Sequence, residues 1–217
     1  MRMSYFTVRN EATAEFEEKK STFIGHVKRV GSEEEAKEFI NAIKNSYKEA
    51  RHNVFAYIIG ANKGIQRYSD DGEPQGTGGI PVLEVLKKND LTDIVVVVTR
   101  YFGGILLGTG GLARAYSKGA IIAIDKGVVV EKVLGVPLRI TIDYDLIGKL
   151  QYLCGTNSWY IEDTVYTDKV EILIYCEVSM LKEMEKAFVE HTSGKAIISE
   201  GEEAYFFKGE NRLYIVE

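Results

Sequence analysis

Two glycine-rich segments of this 217-residue sequence contain the residues best suited to binding a ligand. The first, residues 70–79 (the acidic segment), carries the carboxylates of Asp70, Asp71 and Glu73. The second, residues 101–111 (the glycine segment), lies between a strongly apolar stretch and the start of a predicted helix. Glycine permits backbone conformations and close approaches that other residues resist, and unpaired amides at a helix start attract anions. The glycine segment therefore predicts an anion-binding site.

Basic and aromatic side chains flank the glycine segment. Arg100 precedes it, whereas Arg114 and Lys118 follow it four residues apart and therefore share one face of the predicted helix. Tyr101 and Phe102 offer rings of the kind on which single-stranded nucleic acids stack. The predicted anion-binding or nucleic-acid-binding set is Arg100, Tyr101, Gly103, Gly104, Gly108, Thr109, Gly110, Gly111, Arg114 and Lys118.

A purely structural explanation of the same residues stays open. Glycine-rich turns occur wherever a chain bends sharply, the two helix cations suit a solvated face, and the two rings suit a core. The segment matches neither the phosphate-binding loop GxxxxGK[ST] nor the dinucleotide fingerprint GxGxxG, because the stretch 108–110 supplies only GxG. The gathering of glycines, cations and rings between Arg100 and Lys118 favours a binding function.

The carboxylates of the acidic segment suit either of two roles. They could bind a divalent cation or act as a general base. They could equally belong to a solvated turn, in which the adjacent Asp70 and Asp71 make local hydrogen bonds. The segment does not fit the EF-hand pattern. The turn is the preferred interpretation, and Asp70, Asp71 and Glu73 remain a possible acidic site.

The sequence shows no arrangement typical of a catalytic centre. The three histidines, His26, His52 and His191, are scattered and make no zinc pattern. Neither Ser69 nor Cys154 lies in the turn that exposes a hydrolase nucleophile. We therefore predict no catalytic residue, no metal and no cofactor.

Charge is distributed unevenly along the chain. Residues 1–134 contain 19 Lys and Arg against 17 Asp and Glu, a net charge of +2. Residues 135–217 contain 8 against 15, a net charge of −7, and the two sum to −5. Neither part is basic enough to bind a nucleic acid through its overall field, so such a role requires a local basic patch.

Nothing in the sequence indicates a membrane or an export pathway. No apolar run approaches the ~20 residues of a membrane-spanning helix, and the first residues lack the apolar core of a secretory signal. Cys154 and Cys176 lie in apolar stretches without CxxC spacing, which favours two buried reduced thiols. We expect a cytoplasmic protein.

The pattern of elements predicts an α+β fold in two domains, residues 1–134 and 135–217, joined by a linker at 135–137. In the first domain, alternating stretches predict an antiparallel sheet, and the unbroken apolar run 94–98 predicts a strand buried on both faces. A helix is predicted over 109–126 because apolar residues there keep helical spacing up to a glycine.

The second domain predicts the ferredoxin-like split motif βαββαβ. Its strands are expected at 138–144, 159–167, 170–178 and 195–200, its helices at 145–154 and 181–191, and a further strand at 203–207.

At residues 68–74 (YSDDGEP), and above all at 100–112 (RYFGGILLGTGGL), the chain closely resembles the IMPACT/YigZ family. The resemblance spans roughly residues 19–127, and the second stretch is long enough to be highly specific. It implies a first domain of the type found in ribosomal proteins and in domain IV of elongation factor G. The region after it looks like the small C-terminal domain of bacterial members, similar to the ferredoxin-like C-terminal domain of the same factor.

The resemblance also implies a connection with translation. Eukaryotic relatives act as translational regulators that bind a co-activator of an initiation-factor kinase. The amino-terminal domain that makes that contact is not expected here, because the chain begins almost directly at the shared region. The kinase-regulating role is therefore not expected to carry over.

Three functions remain open. The favoured one is a translation-related module that contacts RNA or the ribosome through its glycine-rich basic surface. The second is an enzyme acting on a phosphorylated small molecule, and the third is a regulator that contacts only a protein partner. An open basic face bearing aromatic rings would favour the first, and a deep pocket that combines the acidic and glycine segments would favour the second. The oligomeric state is left open.

Overall fold

The computed structural model describes residues 3–215. Residues 1–2 and 216–217, which begin and end the two predicted domains, lie outside this range. The chain divides into two compact units, Met1–Glu131 and Lys132–Glu217.

The first unit is built on one antiparallel sheet. Its helices are α1 (Glu33–Ser46), α2 (Gly79–Lys88) and α3 (Thr109–Gly127), and its strands are β1 (Ser4–Val8), β2 (Ala12–Glu18), β3 (Ser21–Arg29), β4 (His52–Ile59), β5 (Ile65–Ser69) and β6 (Ile94–Tyr101). The sheet has the order β2-β3-β6-β4-β5. Strand β1 lies outside this order and forms a parallel bridge from Phe6 to Leu91. Strand β6 is therefore central.

Strand β6 is buried on both faces, as its unbroken apolar run predicts. Val95 and Val97 join a core cluster with residues of α1. Ile94, Val96 and Val98 point to the other face and join a second cluster with residues of α2 and α3. Because side chains alternate along a strand, Arg100 also belongs to the face covered by α2 and α3.

Helix α3 lies directly against strand β3, which places its first turn beside the end of β6. A Cβ atom at Gly25 would lie 2.1 Å from the carbonyl oxygen of Gly119, so the two backbones can approach this closely only if residue 25 is glycine. The helix runs over Thr109–Gly127, and this confirms the prediction of 109–126.

The second unit has the ferredoxin-like order. Its elements are β7 (Val129–Ile142), a 3₁₀ turn (Tyr144–Leu146), α4 (Ile147–Thr156), β8 (Asp163–Tyr166), β9 (Val170–Glu177), α5 (Leu181–His191), β10 (Ile197–Glu200), β11 (Ala204–Lys208) and β12 (Leu213–Tyr214). The first four strands of the motif pair antiparallel in the order β10-β7-β9-β8. The α+β class and the βαββαβ order are confirmed. The further strand predicted at 203–207 is β11, which pairs with β7.

The linker predicted at residues 135–137 is wrong, because these residues lie inside β7. Gly135, Val136 and Pro137 pair in register with residues of β9. Residues 133–136 are all buried and buried side chains alternate after them, so strand pairing continues through a Gly-Val-Pro sequence that is typical of a turn.

The two cysteines are free and buried. Both belong to the core of the second unit. Burial raises the pKa of the Cys154 thiol to about 11 and that of the Cys176 thiol to about 12. Neither therefore has the exposed thiolate of a reactive cysteine.

A buried polar cluster occupies the face of the first sheet that carries α1. The Thr99 hydroxyl donates to Asn53 Oδ1 at 2.7 Å, and His26 Nδ1 lies 3.0 Å from the hydroxyl of Thr13. His26 is 1% exposed. Burial lowers the pKa of His26 to about 4, although the nearby charge of Glu11 partly opposes the shift. The folded protein therefore keeps this imidazole neutral in mildly acidic solution.

This cluster predicts a pH-dependent stability. The pKa of His26 is about 4 when folded, against an ordinary value of 6.5, so the unfolded chain binds the additional proton between these pH values. The free energy of unfolding should therefore fall as pH decreases through this window, with a contribution from His26 of up to about 3 kcal/mol. Urea denaturation of the wild type and of His26→Gln, repeated between pH 4 and pH 6.5, measures this contribution.

The exposed His191 provides a control for the substitution itself, because His191→Gln makes the same chemical change outside the buried cluster. An equal pH dependence in the wild type and in His26→Gln would contradict the assignment to His26.

Candidate anion-binding site

The glycine segment ends at an uncapped helix start. Gly108 is the N-cap of α3, with φ of 73° and ψ of 165°, a conformation that is essentially restricted to glycine. Its carbonyl accepts from the Leu112 amide at 2.9 Å, which begins the helix. No described side chain caps this start, and Thr109 and Gly110 are exposed. The amides of the first turn, which have no partner within a helix, are thus available to an anion.

The other glycines of the segment hold its shape and its place in the fold. Gly103 donates its amide to Ser21 Oγ at 3.1 Å and so ties the segment to the first residue of β3. Gly104 has φ of 83°, whereas Gly110 and Gly111 are helical residues of α3. The segment therefore continues from the end of the central strand β6 as an exposed loop, in which Leu106 is 82% exposed.

A basic groove (the α3 groove) lies between α3 and β2. Arg114 and Lys118 are exposed there, and within the described residues neither has a carboxylate partner. Lys19 and Phe16 complete the groove, which has a volume of about 200 Å³. The Lys118 ammonium lies 4.3 Å from the centre of the Phe16 ring. The structure thus joins the two predicted helix cations to a third cation and an aromatic ring.

Phe16 and Lys19 were missed by the sequence analysis. They lie roughly a hundred residues before α3 in sequence, and only the packing of β2 against this helix brings the two parts together. The one available signal was the pair of lysines at 19–20, which sits in a tight turn between two strands.

Arg100 does not share the α3 groove with Arg114 and Lys118, although the sequence places all three in one predicted binding set. It is 6% exposed, and its Nη1 donates to Glu73 Oε1 at 2.7 Å. The Tyr116 hydroxyl donates to the same oxygen at 2.7 Å. Arg100 is buried because of its position on β6. Side chains alternate along the strand, and this alternation directs the Arg100 side chain under α3 rather than into solvent.

The ring beside Arg100 that stays accessible is Phe102, which is 49% exposed, with its centre 5.5 Å from the guanidinium carbon. Tyr101 is half-buried and follows the opposite alternation on β6. Of the two predicted stacking rings, Phe102 is therefore the better placed for a ligand.

Asp70 caps helix α2. Its carboxylate accepts from the amides of Gly76, Gly78 and Gly79 at 2.8, 3.0 and 2.8 Å. Burial alone would raise the pKa of Asp70, but the three amide hydrogen bonds together hold it below its usual value. This carboxylate therefore satisfies a helix start rather than a ligand.

Asp71 and Glu73 are also engaged within the protein. Asp71 Oδ2 accepts from the Asn53 amide and Oδ1 from Lys44 Nζ, each at 2.6 Å. Glu73 accepts from Arg100 and Tyr116, and burial together with this hydrogen bond raises the pKa of Tyr116. Among the described residues, no group of three or more His, Cys, Asp or Glu side chains is placed to hold a metal ion. The acidic segment thus serves as a structured turn.

A second cavity (the α3 pocket) lies where the acidic and glycine segments meet. Its volume is about 370 Å³, and its lining includes Arg51, His52, Glu73, Arg100, Phe102 and Thr109. The His52 ring is held by a hydrogen bond between Nδ1 and the carbonyl oxygen of Asp71 at 2.9 Å. The first unit therefore has a basic groove on one side of the α3 start and a pocket on the other.

Known proteins match both units. The family model of the Impact N-terminal domain matches residues 19–124, and a domain of unknown function (DUF1949) matches residues 140–195. The chain is 43% identical over 210 residues to the IMPACT family member YvyE of Bacillus subtilis, which covers 97% of each chain. It is 45% identical over 103 residues to the IMPACT family member YigZ of Escherichia coli. This match covers 46% of this chain and 50% of the other.

A solved structure described as that of an hypothetical protein has a similar fold, with a TM-score of 0.60 at 29% identity. The match covers 91% of this chain and 97% of the other. Within residues 3–215, no helix is both long and apolar enough to cross a membrane.

The buried pair of Arg100 and Glu73 predicts a large, non-additive effect on stability. Glu73→Leu leaves a buried guanidinium without its counter-charge and should reduce the free energy of unfolding by about 3–5 kcal/mol. Combining it with Arg100→Met removes both charges and should recover much of this loss. Urea denaturation of the two single variants and the double variant completes the cycle.

An exposed pair of equal length is the control. Arg139 Nη1 lies 2.7 Å from Glu171 Oε1, with the side chains 52% and 38% exposed. Glu171→Leu should cost no more than about 1 kcal/mol, because water screens that pair. Equal losses for Glu73→Leu and Glu171→Leu would contradict the structural role of the buried pair.

The helix start predicts opposite effects at two glycines. Gly108→Ala forces alanine into a conformation that costs it about 1–3 kcal/mol and should destabilise the protein. Gly110 is helical, and a Cβ atom there meets only Arg114 Nη1 at 3.9 Å. Gly110→Ala should therefore be neutral or stabilise by up to about 1 kcal/mol. Melting curves of the two variants and of the wild type measure these changes in stability. A destabilised Gly110→Ala would argue against the helical assignment of Gly110.

Proposed function

We propose that this chain, which belongs to the IMPACT family, is a translation-related protein that binds single-stranded RNA through the α3 groove. One observation carries the proposal: Arg114 and Lys118 project from α3 without a carboxylate partner among the described residues, beside an uncapped helix start. Unpaired cations and free amides are the donors that a phosphate backbone requires.

The groove is basic although the chain carries a net charge of −5. Lys19, Arg114 and Lys118 line it with a single carboxylate, Glu18. The Phe16 ring under the Lys118 ammonium holds that charge in place through a cation–π contact and packing of its aliphatic stem. A locally positive surface of this kind gives a salt-dependent affinity for a polyanion that overall charge would not.

RNA or the ribosome is the favoured partner because the family resemblance points to domains of ribosomal proteins and elongation factors. That analogy concerns the fold and adds support only alongside the groove. A role in translation also implies a cytoplasmic location. The exposed Phe102 ring, on the pocket side of the helix start, supplies a surface for a base.

An enzyme acting on a phosphorylated small molecule is the second candidate, and the α3 pocket is the observation that favours it. The three carboxylates of the acidic segment already accept hydrogen bonds from backbone amides, Lys44, Arg100 and Tyr116. The pocket thus offers donors for a phosphate but no free carboxylate base, and we rank this function below RNA binding.

The proposal predicts the behaviour of Arg114→Ala combined with Lys118→Ala. If each cation meets a phosphate, the double variant should bind RNA more weakly at all sequences. The slope of log affinity against log salt should become shallower by about 1.4, or about 0.7 per contact. Fluorescence anisotropy with labelled RNA of about 12 nucleotides, between about 50 and 200 mM salt, measures both quantities.

Helix α5 offers a matched control. Lys182 and Lys186 have the same spacing on an exposed helix face, so Lys182→Ala with Lys186→Ala removes equal charge from the second unit. This control should leave affinity and slope close to the wild type. A groove variant with a normal melting curve and unchanged affinity would refute RNA binding at this surface and favour a protein partner.

A further inference from the structure

We propose that the α3 pocket binds a nucleoside monophosphate unit, either free or at the phosphorylated end of an RNA chain. The inference rests on the RNA-binding function proposed above and deepens it. The α3 groove would hold the backbone of the chain, and the pocket on the other side of the helix start would hold its last nucleotide.

The phosphate end of the pocket is the start of α3. Gly108 and Thr109 line the pocket, and no described side chain caps the amides of this turn. An oxyanion placed here receives backbone N–H groups and the positive end of the helix dipole. Such a helix start would not define a site without further donors.

Arg100 provides an independent indication of a ligand. It lines the pocket, it is 6% exposed, and its Nε–H is buried without an acceptor among the described residues. Buried donors in proteins are nearly always paired, so this guanidinium beside the pocket indicates an oxygen acceptor that the described residues do not supply. Glu73 holds Nη1 at 2.7 Å and so fixes the guanidinium in one orientation before any ligand arrives.

Two further groups complete the polar side. Arg51 is exposed at the rim and has no carboxylate partner among the described residues. His52 donates from Nδ1 to the Asp71 carbonyl, because a carbonyl oxygen only accepts. Among the described residues Nε2 of this ring has no hydrogen-bond partner, so it remains available to a sugar hydroxyl. With Glu73 counted, the charged groups of the pocket sum to +1, the sign that an anion requires.

The remaining wall is apolar and indicates a nucleotide rather than a bare phosphate. Phe102 is 49% exposed and Leu106 is 82% exposed, so both are free to cover a flat ring. The volume of about 370 Å³ lies at the lower end of the range for small-molecule sites, about 300–1,000 Å³. It therefore suits one nucleotide and excludes a longer stretch of chain.

Calorimetric titration of the full chain with AMP, UMP, ribose 5-phosphate and inorganic phosphate tests the free ligand. Anisotropy with one RNA sequence carrying a 5′-phosphate, a 3′-phosphate or only hydroxyl ends tests the chain end. We expect a nucleoside monophosphate to bind more tightly than ribose 5-phosphate or phosphate. We also expect one phosphorylated RNA end to bind at least about tenfold more tightly than the hydroxyl form, as a charge-assisted contact would give.

The variants Arg51→Ala, His52→Gln and Phe102→Ala lie at accessible positions, so they avoid disrupting the buried Arg100. Arg51→Ala should remove the preference for a phosphorylated ligand. His52→Gln should weaken the binding of AMP and of ribose 5-phosphate alike, and Phe102→Ala should abolish the advantage of AMP over ribose 5-phosphate. Arg114→Ala with Lys118→Ala should weaken RNA binding but leave AMP binding unchanged, which separates the pocket from the groove.

A preference confined to RNA ends would identify the chain end as the source of the ligand, and tight binding of AMP would identify the free nucleotide. Either outcome supports the pocket. Equal affinity for phosphorylated and hydroxyl RNA, together with no binding of AMP, would overturn it and leave the α3 groove proposal standing. Equal binding of AMP and inorganic phosphate that is insensitive to Phe102→Ala would overturn the nucleotide assignment.

Discussion

Glu73 accepts hydrogen bonds from Arg100 and Tyr116 at a place where both partners are buried, and this contact connects the three parts of the first unit that form the candidate site. Glu73 belongs to the acidic segment, Arg100 to the central strand and Tyr116 to α3. A buried charge needs its partner, so these three segments must keep one relative position in the folded protein. Because the glycine segment connects β6 to α3, both of its ends are held in place by this contact.

The same contact separates two kinds of positive charge. Arg100 is neutralised and immobilised by Glu73, whereas Arg114 and Lys118 remain exposed and have no carboxylate partner among the described residues. Exposed cations attract a polyanion at long range and are sensitive to salt, whereas a fixed, buried guanidinium recognises the geometry of one phosphate. The start of α3 lies between these exposed cations and Arg100. One RNA ligand could therefore contact the exposed cations with its phosphate backbone and Arg100 with its terminal phosphate.

The acidic segment shows how a group of carboxylates that resembles a metal or acid–base site becomes part of the scaffold. Asp70 caps α2, Asp71 joins the segment to β4 and α1, and Glu73 pairs with β6 and α3. Each carboxylate meets a different element because the turn is short and passes between all of them. The charge of this segment therefore stabilises the pocket wall.

Local pattern alone determined much of this protein. The apolar run at 94–98 required a doubly buried strand, the spacing after Gly108 required α3, and the alternation of elements after residue 138 required the ferredoxin-like order. Only the tertiary structure decided which side chains meet. Arg100 lies 27 residues from Glu73, and Phe16 reaches Lys118 through sheet packing. Such pairings depend on strand order and on the face that each residue occupies, which periodicity does not encode. For the same reason the turn-like residues 135–137 became strand, since their partners on β9 were distant in sequence.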